Sequence, residues 1–213
     1  SDPNAKYYHY AGADKRISAV YKLVNNEPAF DFVAESTADG LVESIRYDAA
    51  GSRSYRHDAF GKRTAVVWAS GSSSLGFWSH DGRMLAEMSE PYSAQKSIRE
   101  YVYAGGEIIA VLTSRYPAWY PPSLADLETY YLTTNHVGAV IRGMDENGNV
   151  VLTVDYDPFG RATVSGTLPF ALRLPGQYQD GASALFYNWY RYYDPGIGRY
   201  LQPEPIMQLP EAV

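Results

Sequence analysis

The chain has 213 residues, of which 46% are hydrophobic and 20% charged; these fractions are typical of a folded globular protein and exclude a disordered one. Its net charge of -6 argues against nucleic-acid binding, which needs a basic surface, and no apolar run is long enough for a membrane helix. The lack of cysteine excludes disulfides and thiolate metal sites, and 20 tyrosines against 7 phenylalanines favour half-buried β-sheet surfaces.

The first 40 residues carry no clear motif, and we interpret them as degenerate strand-forming sequence. Beyond them a D-x-x-G pattern recurs, as "YDAAG", "HDAFG", "MDENG" and "YDPFG". Asp is favoured at the first position of a type I turn, and a left-handed Gly at the fourth closes a short hairpin loop. The predicted turn residues are Asp48 and Gly51, Asp58 and Gly61, Asp145 and Gly148, and Asp157 and Gly160.

Runs rich in Val, Ile, Thr and Tyr separate these turns, and several of them alternate apolar with polar residues. The spacing from Asp48 to Asp58, and from Asp145 to Asp157, leaves room for a turn and one strand but for no helix. The sequence therefore predicts an all-β fold of antiparallel hairpins. Prolines in the range 114–129 predict a loop insertion there, because proline cannot donate a hydrogen bond within a central strand.

The stretch "YNWYRYYDPGIGRYLQPEP" near the end is dense in aromatic residues. Read as one strand, it places Tyr187, Trp189, Arg191 and Tyr193 on one face and Asn188, Tyr190 and Tyr192 on the other. Both faces are then aromatic, which is typical of a strand buried on two sides. Asp194 and Gly198 are predicted to form the turn that follows it.

Several of these motifs resemble the YD-repeat, or Rhs, family. "YDPFGR" fits the repeat as it stands, and "HDAFGKR" fits with His57 in place of Tyr. The segment "YYLTTNHVGAVIRGMDENGNVVLTVDYDPFGRA" is similar to the lead into the Rhs-associated core, with Asn135 where Asp is usual. The segment "LPGQYQDGASALFYNWYRYYDPGIGRYLQPEP", residues 174–205, is similar to the core signature itself.

The resemblance implies a curved, spiralling sheet that forms part of a shell and ends in a core element that plugs it. We therefore expect a YD-repeat sheet over residues 1–173, with the loop insertion at 114–129, and a core element over residues 174–213. The implied function is to enclose a C-terminal toxin or other cargo, so the expected partners are the protein's own upstream repeats and that cargo. The resemblance also implies secretion or display at the cell surface.

In many family members the core is a self-cleaving aspartyl protease, and this activity is the first alternative. Two carboxylates must lie close enough to share a proton for such chemistry. The family's first Asp aligns with Glu204, where one extra methylene displaces the reacting oxygens, and the second motif is missing. The sequence thus leaves enzymatic activity open and favours its absence.

A carbohydrate- or partner-binding module is the second alternative, with Trp119 in the proline-rich "YPAWYPP" stretch as the candidate binding residue. The four histidines lack the spacing of metal ligands, so no metal site and no cofactor are predicted. Unpaired strand edges in such a fragment predict self-association into homo-oligomers.

Overall fold

The computed structural model describes residues 6–11, 16–24, 27–36, 42–47, 51–90, 95–117, 127–180 and 184–203. Within these ranges the chain forms strands and turns and no helix, so no helix there could cross a membrane. The strands make a 14-stranded sheet, in which every strand lies beside its neighbours in sequence, and a separate 4-stranded sheet. All pairings are antiparallel, so the predicted all-β fold of hairpins is confirmed.

The large sheet is a meander from one end to the other. Its strands are β1 Lys6–Ala11, β2 Arg16–Val24, β3 Glu27–Ser36, β4 Val42–Tyr47, β5 Gly51–His57, β6 Arg63–Trp68, β7 Ser73–Trp78, β8 Met84–Glu90, β9 Gln95–Ala104, β10 Glu107–Pro117, β11 Leu127–Thr134, β12 Val140–Met144, β13 Val150–Tyr156 and β14 Ala162–Gly166. The small sheet, called here the C-terminal sheet, consists of β15 Tyr178–Gln179, β16 Phe186–Asn188, β17 Arg191–Asp194 and β18 Arg199–Tyr200.

One five-residue turn connects many of these strands. In residues 58–62 the side chain of Asp58 accepts hydrogen bonds from the amides of Phe60 and Lys62, each at 2.9 Å, and Gly61 is left-handed with a φ of 79°. Asp145 and Asp157 make the same contacts in turns whose glycines, Gly148 and Gly160, are also left-handed. The carboxylate thus accepts from two backbone amides of the turn in place of the acceptors that a neighbouring strand would supply.

The same turn recurs where the sequence carries no D-x-x-G pattern. Asn135 accepts from the amides of Val137 and Ala139, so the Asn found in place of the usual Asp keeps the cap. Ser79 opens a further copy, in which its hydroxyl oxygen accepts from the Arg83 amide at 2.9 Å and Gly82 has a φ of 82°. Side-chain oxygens of Asp, Asn and Ser thus each cap a copy of this turn from its first position.

The first predicted turn differs from the other three. Asp48 lies outside the described residues, and Gly51 is the first residue of β5, directly opposite Tyr47 of β4. In the other copies the Gly lies inside the loop. After Gly61, for example, the first paired residue of the next strand is Arg63, opposite His57. The prediction of a turn position for Gly51 is therefore wrong.

The predicted loop insertion at 114–129 is too long at both ends. Strand β10 continues to Pro117, which pairs with Gln95 at the last position of the strand, and β11 begins at Leu127. A proline is tolerated there because the strand ends with it and needs no further ladder hydrogen bond. Residues 118–126 lie outside the described part of the chain.

The hydrophobic core lies between the large sheet and the residues that follow β14. Leu168 and Phe170 pack with a cluster from β8 to β13 that includes Val111 and Leu152. Further on, residues of the C-terminal sheet pack with a second cluster from β3 to β6 that includes Ile45. Trp78 packs against both clusters, so the chain after β14 runs back along one face of the sheet and covers it.

Candidate functional site

The contact between the two sheets is built around one buried arginine. Arg63, the first residue of β6, is 4% exposed, and its guanidinium carbon lies 4.2 Å from the ring centre of Tyr187. The rings of Tyr55, Tyr178 and Tyr192 surround the same group at 5.2 to 5.8 Å. A guanidinium stacks well on aromatic faces and is weakly hydrated, which suits it to this position.

Arg63 also binds the C-terminal sheet by hydrogen bonds. Its backbone N–H donates to the hydroxyl of Tyr187 at 2.7 Å, and its Nη1 donates to the hydroxyl of Tyr192 at 2.8 Å. Tyr187 and Tyr192 are cross-strand partners on β16 and β17. One strand of the large sheet therefore positions both central strands of the small one.

A buried carboxylate balances the charge of this cluster. Asp180 is 2% exposed and lies 3.5 Å from Arg63 and 3.4 Å from Arg53 of β5. It also accepts a short hydrogen bond from the hydroxyl of Tyr55. We call these residues the arginine–tyrosine cluster, which comprises Arg53, Tyr55, Arg63, Tyr178, Asp180, Tyr187 and Tyr192.

Burial and neighbouring charges shift the pKa values of Arg63 and of three tyrosines of the cluster. Burial alone lowers the pKa of Arg63, but the neighbouring Tyr192 and Asp180 outweigh burial and leave that pKa raised. Burial raises the pKa of Tyr187 to about 12 and raises the pKa values of Tyr178 and Tyr192 well above their ordinary value. At neutral pH the site thus holds a guanidinium among uncharged phenols, an arrangement that positions the C-terminal sheet on the large sheet.

A second polar group continues the contact along the sheet. Glu87 of β8 accepts hydrogen bonds from Arg99 at 2.9 Å, from Tyr101 at 2.7 Å and from Tyr178 at 2.7 Å. Because the Tyr178 ring also contacts Arg63, this tyrosine of the C-terminal sheet joins both polar groups. Glu87 is thus ion-paired with Arg99 of the large sheet and hydrogen-bonded by Tyr178 of the C-terminal sheet.

The single strand predicted over residues 187–193 is wrong. Strand β16 ends at Asn188 and β17 begins at Arg191, and Trp189 and Tyr190 form the two-residue turn between them. Trp189 has a φ of 59°, the one positive value among the described residues other than glycine. The hairpin puts Tyr187 opposite Tyr192, so these two share a face, which the alternation had assigned to opposite faces.

The strained tip of this hairpin is held by the large sheet. The indole of Trp189 lies against Gly82, where an added Cβ would overlap the ring. The Lys62 ammonium lies 4.9 Å from the centre of the Trp189 ring and donates to the carbonyls of Ser79 and His80. The five-residue turn at Ser79 thus forms the surface against which the hairpin tip packs.

The far side of the hairpin contacts another turn of the large sheet. The hydroxyl of Tyr193 donates to the carbonyl of Phe159 at 2.8 Å, and the Phe159 ring packs on Gly198, whose φ is 65°. Arg191 stacks on Tyr200 of the neighbouring strand at 3.8 Å. Asp194 is fully buried and accepts from the Gly196 amide at the start of the turn predicted for it.

Two residues singled out in the sequence lie outside the described residues: Glu204 and Trp119. Among the residues that are described, no three His, Asp or Glu side chains lie close enough to hold a metal ion. Sequence reasoning missed Arg63, Asp180 and Glu87. No local pattern marks them, since each acquires its partners from distant parts of the chain.

Comparison with known proteins agrees with this geometry. The family model described as Teneurin YD-shell matches residues 123–209, which include β11 to β14 and the whole C-terminal sheet. Residues 123–209 are thus similar to a YD-shell, in agreement with the YD-repeat resemblance of the sequence motifs. The match ends beyond the arginine–tyrosine cluster, so the covering segment is part of what the family shares.

Among curated relatives of this chain are two bacterial toxins. The toxin protein Tse5 of Pseudomonas aeruginosa is 29% identical over 92% of this chain, which corresponds to 17% of Tse5. The double-stranded DNA deaminase toxin A of Burkholderia cenocepacia is 34% identical over 36% of this chain and 6% of that toxin. The chain therefore spans less than a fifth of the length of either protein.

Solved structures share the fold at low sequence identity. The crystal structure of TcdB2-TccC3-TEV has a TM-score of 0.63 and 18% identity over 83% of this chain and 9% of that one. The structure of TcdB2-TccC3 without its hypervariable C-terminal region has the same TM-score, with 15% identity over 94% of this chain and 12% of that one. The fold of this chain is thus also found within much longer chains.

Proposed function

We propose that this chain is part of the wall of a β-sheet shell, together with the element that closes it, in a secreted Rhs-type toxin that encloses a C-terminal polypeptide cargo. The domain division follows from this role. Residues 1–173 form the wall, and residues 174–213 form the Rhs-associated core element. The partners are further repeats of the same protein and the cargo itself.

One observation carries the proposal: the C-terminal sheet is fastened to the wall by buried charge as well as by apolar contact. Arg63 and Asp180 are both almost fully buried and lie 3.5 Å apart across the junction. A buried ion pair adds little net stability compared with apolar packing, but breaking it is costly and it specifies one geometry. Such a fastening suits an element whose position decides whether a compartment is closed.

The named relatives support the same role. Tse5 and the deaminase are toxins much longer than this chain, and one matched structure is of a form without its hypervariable C-terminal region. A constant wall combined with a variable C-terminal polypeptide accounts for both observations. It also explains why the described residues form a scaffold of paired charges rather than a reactive centre.

The test is protease protection in the whole gene product that contains this chain. Limited proteolysis followed by mass spectrometry measures how fast the polypeptide after residue 213 is cut, with and without Arg63→Met. We expect protection in the parent and at least tenfold faster cutting in the variant, because the closing element is released. The matched control, Arg142→Met, changes an exposed arginine of β12 and should leave protection intact.

A parent in which no polypeptide follows residue 213, or in which it is cut equally fast in parent and variant, contradicts the proposal. Intact mass measurement of the same preparation tests the self-cleaving alternative. A single cut that Glu204→Ala abolishes would assign a catalytic role to Glu204 in spite of its longer side chain. A parent that stays whole leaves the shell without that chemistry.

A further inference from the structure

A cavity of about 350 Å³ lies where the covering segment meets the rim of the large sheet. Three pieces of chain surround it: the β9–β10 tip at Gly105 and Gly106, the turn that contains His136, and residues 172–177 of the covering segment. It is separate from the arginine–tyrosine cluster, with Trp78 between the two. Its volume is near the lower end of ligand pockets, which span roughly 300 to 1,000 Å³.

The floor of the cavity is apolar and partly aromatic. Its residues include Trp78, Met84, Tyr103, Ile108, Val140 and Leu172. Aromatic rings gain from edge-to-face contact with other rings, and methionine adapts to a flat guest. These side chains therefore favour one aromatic ring over an extended polar ligand.

One buried polar group in the lining has no partner. Gln177 is 7% exposed, and its Oε1 is buried without a hydrogen-bond partner among the described residues. Its backbone is fixed, because its N–H donates to Leu174 and its carbonyl accepts from the Arg173 amide. An unsatisfied buried acceptor is costly, and a rotation of the Gln177 side chain toward the cavity would let a guest with an N–H or O–H donor satisfy it.

The neighbouring positive charge is already occupied. The guanidinium of Arg173 donates to the side chain of Gln179 and to the carbonyls of Phe170 and Leu172. Beside its apolar floor the cavity therefore has an acceptor that a rotation of Gln177 would supply, rather than a free guanidinium for an anion. This combination selects a phenol or an indole.

The rim favours a guest attached to a peptide. Gly105 and Gly106 are exposed, and the space beside Gly105 is open, so their backbone groups are accessible to another chain. Arg83 and Glu107 supply one charge of each sign beside the opening. We propose that this cavity binds the tyrosine or tryptophan side chain of a polypeptide, a role that does not depend on the shell function.

The test is a nuclear magnetic resonance titration of the 213-residue chain with N-acetyl-tyrosinamide, N-acetyl-tryptophanamide and N-acetyl-phenylalaninamide. Amides of the four lining glycines, Gly105, Gly106, Gly138 and Gly176, report on the site. We expect these signals to shift together, with the tyrosine and tryptophan probes binding roughly three- to tenfold tighter than phenylalanine, as one added hydrogen bond predicts. Signals that do not move at millimolar probe would overturn the proposal.

Two variants separate the parts of the site. Gln177→Leu removes the acceptor, so it should abolish the preference for tyrosine over phenylalanine while phenylalanine still binds. Val137→Trp enlarges an exposed residue at the opening and should weaken all three probes, whereas Val150→Trp, on an exposed position away from the cavity, should weaken none. A tyrosine preference that survives in Gln177→Leu contradicts the role of the acceptor.

A last comparison tests whether the guest belongs to a peptide. An acetylated Gly-Gly-Tyr-Gly-Gly peptide should bind more tightly than N-acetyl-tyrosinamide, because its backbone reaches the rim at Gly105 and Gly106. If 4-methylphenol binds as tightly as the peptide, the site selects free aromatic molecules and the proposal of a polypeptide guest is wrong.

Discussion

Arg63 occupies a strand position whose neighbours Ala65 and Val66 are buried and small or aliphatic. Four tyrosine rings and one carboxylate stabilise its charge. A substitution that removes the guanidinium leaves these buried groups without their common partner. Replacing Arg63 should therefore destabilise the chain much more than replacing an exposed arginine.

We expect Arg63→Met to lower the free energy of unfolding by about 3 to 5 kcal/mol, the usual effect of removing one partner of a buried ion pair. Urea unfolding followed by tyrosine and tryptophan fluorescence measures it. Arg142→Met, on the exposed face of β12, should change stability little. Equal stability of the two variants would show that the cluster contributes nothing.

His57 makes stability depend on pH. Burial and then the nearby Arg63 lower the pKa of His57, and Asp58 opposes them only in part. The folded chain therefore binds this proton less readily than the unfolded chain, whose histidine titrates near 6.5. The contribution of neutral His57 to the free energy of unfolding is complete above pH 6.5. It is lost as the pH falls from there toward the lower pKa of His57 in the folded chain.

The melting temperature should accordingly fall between pH 7 and pH 5, and His57→Gln should make that fall smaller. His80→Gln, on an exposed residue of a turn, is the control and should leave the profile unchanged. Differential scanning calorimetry at several pH values measures both. A His57→Gln profile that follows the parent's would assign the pH dependence to other groups.

At the scale of single elements, the tip of the β16–β17 hairpin packs against the turn that contains Gly82. Gly82 and Gly148 have nearly the same backbone, with φ values of 82° and 81°, but only Gly82 meets a neighbouring ring. An alanine in this left-handed conformation costs roughly 1 to 2 kcal/mol at either position. Gly82→Ala also displaces Trp189.

Gly82→Ala should therefore destabilise the chain by clearly more than Gly148→Ala and should shift the emission of Trp189 toward that of a solvated indole. Thermal melts and fluorescence spectra of the two variants test this. If the two substitutions cost the same, Trp189 is not held by this contact.

These elements also show what sequence can and cannot predict. The turns at Asp145 and Asp157 were predictable, because the cap and the left-handed glycine lie within five residues of each other. The turn at Trp189 was not, because a bulky residue adopts that backbone only when a distant turn holds its ring. Arg63 was hidden for the same reason, since its hydroxyl partner Tyr192 is 129 residues away.

At the scale of the whole molecule, the large sheet ends in strands that pair on one side only within the described residues. In β14 only Ala162 is partly buried, so this strand presents an open edge to other chains. We expect the isolated chain to associate with itself at high concentration, as unpaired edges do. Sedimentation of a clean monomer at all concentrations would contradict this.

Val164→Lys should reduce that association, because a charge on an edge strand opposes pairing with another sheet. Val150→Lys, an equally exposed change on β13, which is paired on both sides, should not. Sedimentation velocity across a concentration series compares the two. Equal association of both variants would move the contact away from this edge.

The strict chain order of the large sheet also has a consequence for synthesis. Each hairpin pairs with what was made just before it, so contacts are local and the sheet is able to grow as the chain leaves the ribosome. The contacts of the C-terminal sheet are different: Tyr192, for example, is translated 129 residues after its partner Arg63. During that interval the charge on β6 lacks the partners that the C-terminal sheet later supplies.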